Sequence, residues 1–325
     1  MKRFVELGCS PSVITYPHRP SRLMSKAIKF LIFQVLQPRL SRPVFIVSAP
    51  RSGSSYLYEI TRRLPEVWSF DKENDPLWFQ FFPYQRLSVP TDYILPAECT
   101  PDMIKAFRRE LLIENLRHRR LSRWRDGFNY GLLRKPVRYL EKTVANCFHL
   151  EALRLMFPDA LLVHLVRDGR ACVSSMMEGW HSGVFWKRPL PFPEGATISH
   201  WCYPIPPGWQ TVVHQSLAEI CAWSWVEHNR YLLEWEQANP DWQKRLMRVS
   251  YEELLADPQA VLEQFCQFTG WEMSPESLQY IQEGRLSWTT VSQPKADKWK
   301  QKNGQAINQV MPIIAPMMRE LGYGV

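Results

Sequence analysis

The chain of 325 residues holds no Cys-x-x-Cys pair, no internal repeat and no low-complexity tract. No apolar run approaches the roughly 18 residues that a membrane-spanning helix needs. Seven cysteines (9, 99, 147, 172, 202, 221 and 266) are odd in number and widely scattered. That pattern offers no zinc-ligand spacing and no disulfide framework, and it suits reduced thiols in a cytoplasm. Lys2 and Arg3 resemble the start of a signal peptide, but Glu6 and Pro11 interrupt the apolar stretch that would have to follow. The expectation is a cytoplasmic protein without a leader. Also missing is the GxxxxGK[ST] signature of nucleoside-triphosphate loops.

What the chain does have is positive charge and aromatic mass. Its formal net charge is +8, with 14 Trp and 26 Pro. Such a balance points to a polyanionic ligand, a nucleic acid or an anionic surface, and composition alone does not choose among them. Hydrophobic residues make up 45% and charged residues 22%, an ordinary globular composition that excludes disorder. At about 150 residues per domain, the length suits two domains or one large α/β unit with insertions.

Residues 1–20 lack apolar periodicity and read as an arm. Residues 21–36 (SRLMSKAIKFLIFQVL) carry an apolar stripe with interleaved basic residues, so a basic amphipathic helix is expected. Such a helix suits peripheral membrane contact, although an apolar stripe more often caps a core. The domain proper is expected over 42–325, after an N-terminal piece spanning 1–41.

VFIVS (44–48) reads as a buried strand, APRSGSS (49–55) as a loop and YLYEITRRL (56–64) as a helix. A strand, a Gly-containing loop and a helix form a phosphate-binding arrangement, with backbone N–H groups and the helix dipole facing the anion. The stretch 101–142 is strongly basic and reads as helical. A second buried strand is expected at 160–166 (ALLVHLV), with Arg167-Asp168-Gly169 opening another helix. Two β-loop-α units therefore each place an Arg at a strand's C-terminal end, where parallel α/β sheets bind ligands. Residues 184–215 are rich in Trp and Pro and lack periodicity, which suggests a lid-like insert. Helix returns at 217–239, RLMRVS (245–250) is a third strand, and Asp257-Pro258 caps a helix that stops at Gly270.

In SAPRSGSS (48–55) the cation stands early, at Arg51, and the Walker lysine is absent, so the loop is a poor ATP site. It can still wrap an anion through Gly53, Ser54 and Ser55. In VRDGRACVSS (166–175), Arg167 and Ser175 lie eight residues apart and could grip one phosphate; the plainer alternative is an Arg167–Asp168 ion pair.

PRSGSS (50–55), EKT (141–143), FPDALLVHLVRDGRACVSSM (157–176), YEELLADP (251–258), Lys298-Trp299 and IAPMMRELGY (314–323), in that order, resemble the sulfotransferase family that uses 3′-phosphoadenosine 5′-phosphosulfate (PAPS). The best resemblance is to the branch holding tyrosylprotein and many bacterial sulfotransferases. It runs from Pro43 to Tyr323 and thins at 74–138 and 184–215. It implies an α/β, three-layer P-loop-like fold with a central parallel sheet flanked by helices, PAPS as donor and no metal.

The resemblance also implies roles. Arg51, Ser52, Gly53, Ser54 and Ser55 would hold the 5′-phosphosulfate, and Ser55 stands where the family usually has Thr. Tyr56 and Tyr251 would lie on the adenine side. Arg167 and Ser175 would take the 3′-phosphate, with Lys298 closing over it. Lys142 would reach the sulfuryl region, although Val144 replaces a frequent Pro. Glu73 would act as general base, with Asp71 and Asp75 as alternatives. Ser287 or Ser292 would stand near the sulfate.

His164, inside a strand, reads as a core histidine. Trp186, Trp201 and Trp209 would suit a lid that stacks on an acceptor. The expected acceptor is a small-molecule, carbohydrate or lipid hydroxyl rather than a nucleic acid. Competing readings are a P-loop kinase and a basic polyanion-binding module resting on the 105–142 run.

Overall fold

The computed structural model describes residues 39–118, 136–291 and 297–325. The expected N-terminal arm, the helix at 21–36, Arg119, Arg120, Arg123 and Arg125 of the basic run, and Ser292 lie outside those residues.

Five strands form one all-parallel sheet: β1 (Val44–Val47), β2 (Val67–Trp68), β3 (Arg138–Lys142), β4 (Leu161–Val166) and β5 (Leu246–Ser250), in the order β2-β3-β1-β4-β5. β1 lies between β3 and β4, with Val44 beside Leu140 on one flank and Leu161 on the other. Parallel strands are covered on both faces, which is why β1 and β4 read as unbroken apolar runs. Alternation still sorts them. Phe45 and Val47 join Tyr139, Phe157 and Leu162 in one core, while Val44 and Ile46 join Leu57, Ile60, Leu161 and Val163 in the other. Each such side chain, fully buried, contributes about 1.5–3 kcal/mol.

Helix α1 (Ser54–Thr61) leaves the loop after β1, and α2 (Asp75–Phe81) follows β2. Pro101–His118 forms α3, and a short α4 (Leu150–Met156) leads into β4. After β4 comes α5 (Gly169–Ser182), begun by Asp168, whose side chain accepts from the Arg170 amide at 2.8 Å. Helix α6 (Leu217–Ala238) opens with a reciprocal Ser216–Glu219 capping box. Beyond β5 lie α7 (Tyr251–Ala256), α8 (Pro258–Thr269), α9 (Pro275–Gln282) and α10 (Lys298–Glu320). As expected, α8 has Asp257 as its N-cap, Pro258 in its first turn and a left-handed Gly270 after its end.

A third core, away from the sheet, packs α5, α6 and α10 against the segment after α5. That segment has little regular structure, but much of it is interior. Trp201 and Trp209 are fully buried, and their Nε1 groups donate to the carbonyls of Pro204 (3.2 Å) and Pro90 (2.9 Å). These two are core residues and not faces of a lid that stacks on an acceptor; only Trp186, at 54% exposure, stands open.

The stretch 101–142 departs from the sequence reading at its far end, where Arg138–Lys142 is strand β3. Charged residues hid this strand, because two of them are buried by tertiary partners. Glu141 accepts from Trp78 Nε1 (2.9 Å), Asn146 Nδ2 (3.2 Å) and the Tyr139 hydroxyl (3.2 Å). Lys142 emerges at the strand's end with 2% exposure. His164 is interior, its Nδ1 at 2.8 Å from Glu236.

Candidate active site

A cleft of 340 Å³ opens at the carboxyl ends of the strands and is lined by Arg51, Gly53, Ser54, Ser55, Tyr56, Glu73, Lys142, Arg167, Ser175, Tyr251, Ser287 and Lys298 among others. This is the edge at which parallel sheets bind ligands. Of the residues expected in the site, Ser52 is the one buried behind it, its hydroxyl 3.7 Å from Cys172 Sγ.

The loop after β1 is built for close approach. Arg51 adopts φ 66° and Gly53 φ 94°. A Cβ on Gly53 would come within 2.2 Å of the Tyr251 ring, so both backbone angle and contact require glycine there. Behind Gly53, the first turn of α1 presents Ser54 and Ser55 to the cleft, and the positive end of the helix dipole favours an anion.

Two guanidiniums flank this turn. Arg51 donates from Nε to the Ser175 hydroxyl (3.1 Å) and from Nη1 to the Thr289 carbonyl (3.0 Å), and it lies 4.8 Å over the Phe185 ring. Burial lowers its pKa, with Tyr203 opposing and neighbouring Arg167 adding to the shift. Arg167 donates from Nη1 to the Arg51 carbonyl (2.7 Å) and stacks 4.2 Å from the Tyr251 ring. Its Nε is buried without a hydrogen-bond partner. Asp168 turns away to cap α5 and pair with Arg170, so the alternative Arg167–Asp168 pair does not form. Among the described residues, neither Arg51 nor Arg167 has a carboxylate within ion-pair distance.

Lys298 enters the cleft from the start of α10, paired at 2.7 Å with Glu178. Tyr56 is half-buried on the wall, tilted against Tyr280 at 6.4 Å. The Ser287 hydroxyl lies 3.0 Å from that of Thr290.

At the other end of the cleft, Lys142 is ion-paired with Glu73. The Asn74 amide donates to Thr143 Oγ1 at 2.9 Å, which pins residues 73–75 to the end of β3. Asp75 also lines the cleft. Burial first, and the Glu73 carboxylate second, push its pKa up to about 8, against the pull of Arg188. Asp71 does not belong here: its side chain is 79% exposed and paired with Arg62. Sequence reasoning missed Arg188, Phe185, Tyr203 and Glu178, all on the cleft wall. They come from α5 and the irregular segment after it, where no local pattern marks a strand end.

The parts fit a nucleotide carrying several anionic groups. Gly53 leaves the space a Cβ would fill, two cations lack carboxylate partners, and the Arg167 Nε awaits an acceptor. Fold and cleft thus define an α/β protein of the P-loop-like, phosphate-binding kind.

The Sulfotransferase family pattern matches residues 43–275, and the chain belongs to that family. It is a sulfotransferase. No curated protein matches it in sequence. Among solved structures, the sulfotransferase STF9 of Mycobacterium avium is 17% identical, with 94% of this chain and 83% of that one covered and a TM-score of 0.51. The sulfotransferase domain of the curacin biosynthetic pathway is 17% identical, covering 88% of this chain and 99% of that one, with a TM-score of 0.50. A retinol dehydratase, solved in complex with retinol and PAP, is 14% identical over 91% of this chain and 86% of its own, with a TM-score of 0.40.

Proposed function

We propose that the protein transfers the sulfuryl group of PAPS to a hydroxyl of a small-molecule, carbohydrate or lipid acceptor, releasing adenosine 3′,5′-bisphosphate (PAP). The observation that carries this reading is the pair Arg51 and Arg167, two guanidiniums without carboxylate partners among the described residues, on either side of the α1 first turn. A cluster of cations with unmet donors is stabilised by a multiply charged anion. The Arg167–Ser175 end suits the 3′-phosphate, which distinguishes this donor from ATP, and Lys298 and Tyr251 border the same end.

In the reaction the acceptor oxygen bonds to sulfur while the bond from sulfur to the 5′-phosphate oxygen breaks. The electron pair remains on that phosphate. Arg51 and the first-turn donors Gly53, Ser54 and Ser55 stabilise the charge growing there, and Lys142 stabilises the sulfuryl oxygens. Glu73, the carboxylate ion-paired with Lys142, takes the acceptor's proton. Asp75, with its pKa raised to about 8, already carries a proton at neutral pH.

Calorimetric titration of PAP into the wild type and Arg167→Ala tests the reading, with ATP as control. Tight PAP binding, weak ATP binding and a loss of about 100-fold in the variant are expected, as for removal of one partner of a buried charged contact. Failure of the folded wild type to bind PAP would move the weight to the polyanion-binding reading.

A further inference from the structure

Arg188 is the most enclosed arginine of the cleft wall, at 5% exposure. Reciprocal backbone hydrogen bonds with Trp201, at 2.8 and 3.0 Å, fix its position in the segment after α5. Three rings surround its guanidinium: Trp186 at 5.1 Å, Phe79 at 5.2 Å and Tyr84 at 5.4 Å. Its Nη1 donates to the Asp92 carboxylate, which also accepts from the Ile205 amide. Its Nε is buried with no hydrogen-bond partner among the described residues. Unmade donors on a buried guanidinium are destabilising unless something completes them.

The groups facing this point are already matched in charge. Lys142 answers Glu73, and Asp92 answers Arg188. Asp75, hydrogen-bonded to Glu73 and with its pKa pushed up to about 8 by burial and by that carboxylate, holds its proton at neutral pH and adds no charge. At neutral pH the recess therefore adds no unpaired negative charge to the unpartnered Nε of Arg188. The complement of a free guanidinium edge is an oxyanion, whose lone pairs accept from it.

We propose that Arg188 selects the acceptor, binding a carboxylate that the acceptor carries in addition to the hydroxyl that is sulfated. This rests on the sulfotransferase reading above and narrows its acceptor to hydroxycarboxylic acids.

The test uses the full chain with PAPS and matched acceptors: 4-hydroxyphenylacetate, its primary amide and 4-ethylphenol, alongside a cyclohexanol series bearing the same three groups. In the wild type, kcat/KM for the carboxylates should exceed that of their neutral twins by about 10- to 100-fold, the span for a hydrogen bond to a charged group. The double variant R188M/D92N removes both charges, so that neither is left buried alone. It should erase the preference by raising KM for the carboxylates, while calorimetric PAP affinity stays within about twofold of the wild type, as expected for a site away from the donor. R188K, which keeps the cation but not the fork, should fall between.

The preference should also fall as pH rises through about 8, where Asp75 loses its proton and then repels the ligand. The ratio between twins cancels the pH dependence of the chemistry itself. The wild-type comparison needs no variant to fold. Intact PAP binding with equal use of the twins, or with no carboxylate sulfated, overturns this inference alone. Absence of PAP binding overturns the donor assignment and this inference with it.

Discussion

The two ends of the cleft are built differently. The donor end is made of short, local motifs: the β1 loop with its helix and the Arg167–Ser175 stretch after β4, each a strand followed by a turn and a helix. The other end is assembled from residues 73–75, Lys142 at the end of β3, and Arg188 and its neighbours from the irregular segment beyond α5. A strand-turn-helix unit can be recognised one piece at a time, because its geometry follows from hydrogen bonding and φ/ψ limits within some ten residues. A wall drawn from segments over a hundred residues apart has no such signature.

Trp209→Ala probes this contrast most severely. Removing a fully buried Trp from beneath the acceptor wall should destabilise the fold by about 3–5 kcal/mol, read by chemical denaturation. Trp186→Ala, at an exposed position, should change stability by about 0.5 kcal/mol or less. If the two ends are separable, the folded Trp209→Ala protein still binds PAP as the wild type does. A parallel loss of PAP affinity would show that they form one unit.

Gly53→Ala attacks the donor end through its backbone. The positive φ alone costs about 1–2 kcal/mol, and the added methyl must displace the Tyr251 ring. PAP affinity measured by calorimetry should fall by more than tenfold, and retained affinity would mean that the loop and Tyr251 move together at little cost.

Acid should act on the interior rather than the cleft. His149 and His228 are buried, and that burial holds both pKa values at about 3. Below the unfolded value of about 6.5, the unfolded chain binds protons that the folded chain refuses. Stability is thus complete above pH ~6.5 and falls as pH drops toward 3, by up to about 1.4 kcal/mol per pH unit for each histidine. Denaturation midpoints measured between pH 7 and 5 check the slope, and a flat profile would mean that these rings titrate normally.

The smallest effect is expected from Ser175→Ala, which removes the hydroxyl that meets Arg51 Nε at 3.1 Å. A single such bond contributes about 1 kcal/mol, so PAP affinity should drop several-fold. A loss as large as that of Arg167→Ala would make Ser175 an equal partner and not an auxiliary one.

Much of the scaffold was legible. Unbroken apolar runs marked β1 and β4, and Asp257, Pro258 and Gly270 marked the ends of α8. The loop glycine and the arginine after each of those strands marked where an anion could sit. β3 escaped notice because its charged residues read as part of a basic helical stretch, and Trp78, Tyr139, Asn146 and Glu73 make the burial of Glu141 and Lys142 tolerable. Trp201 and Trp209 read as an acceptor platform because aromatic density alone does not tell a core from a binding face.

The sequence by itself determined the family and the parallel α/β architecture, and it marked the loop and arginines that gather at the ends of β1 and β4, since each depends on patterns within a few turns of chain. Tertiary structure alone decided which carboxylates share a cleft, which tryptophans are interior, and that the Arg188 Nε has no partner among the described residues. Burial and charge pairing are properties of what surrounds a side chain. Those surroundings come from parts of the chain that no local pattern connects.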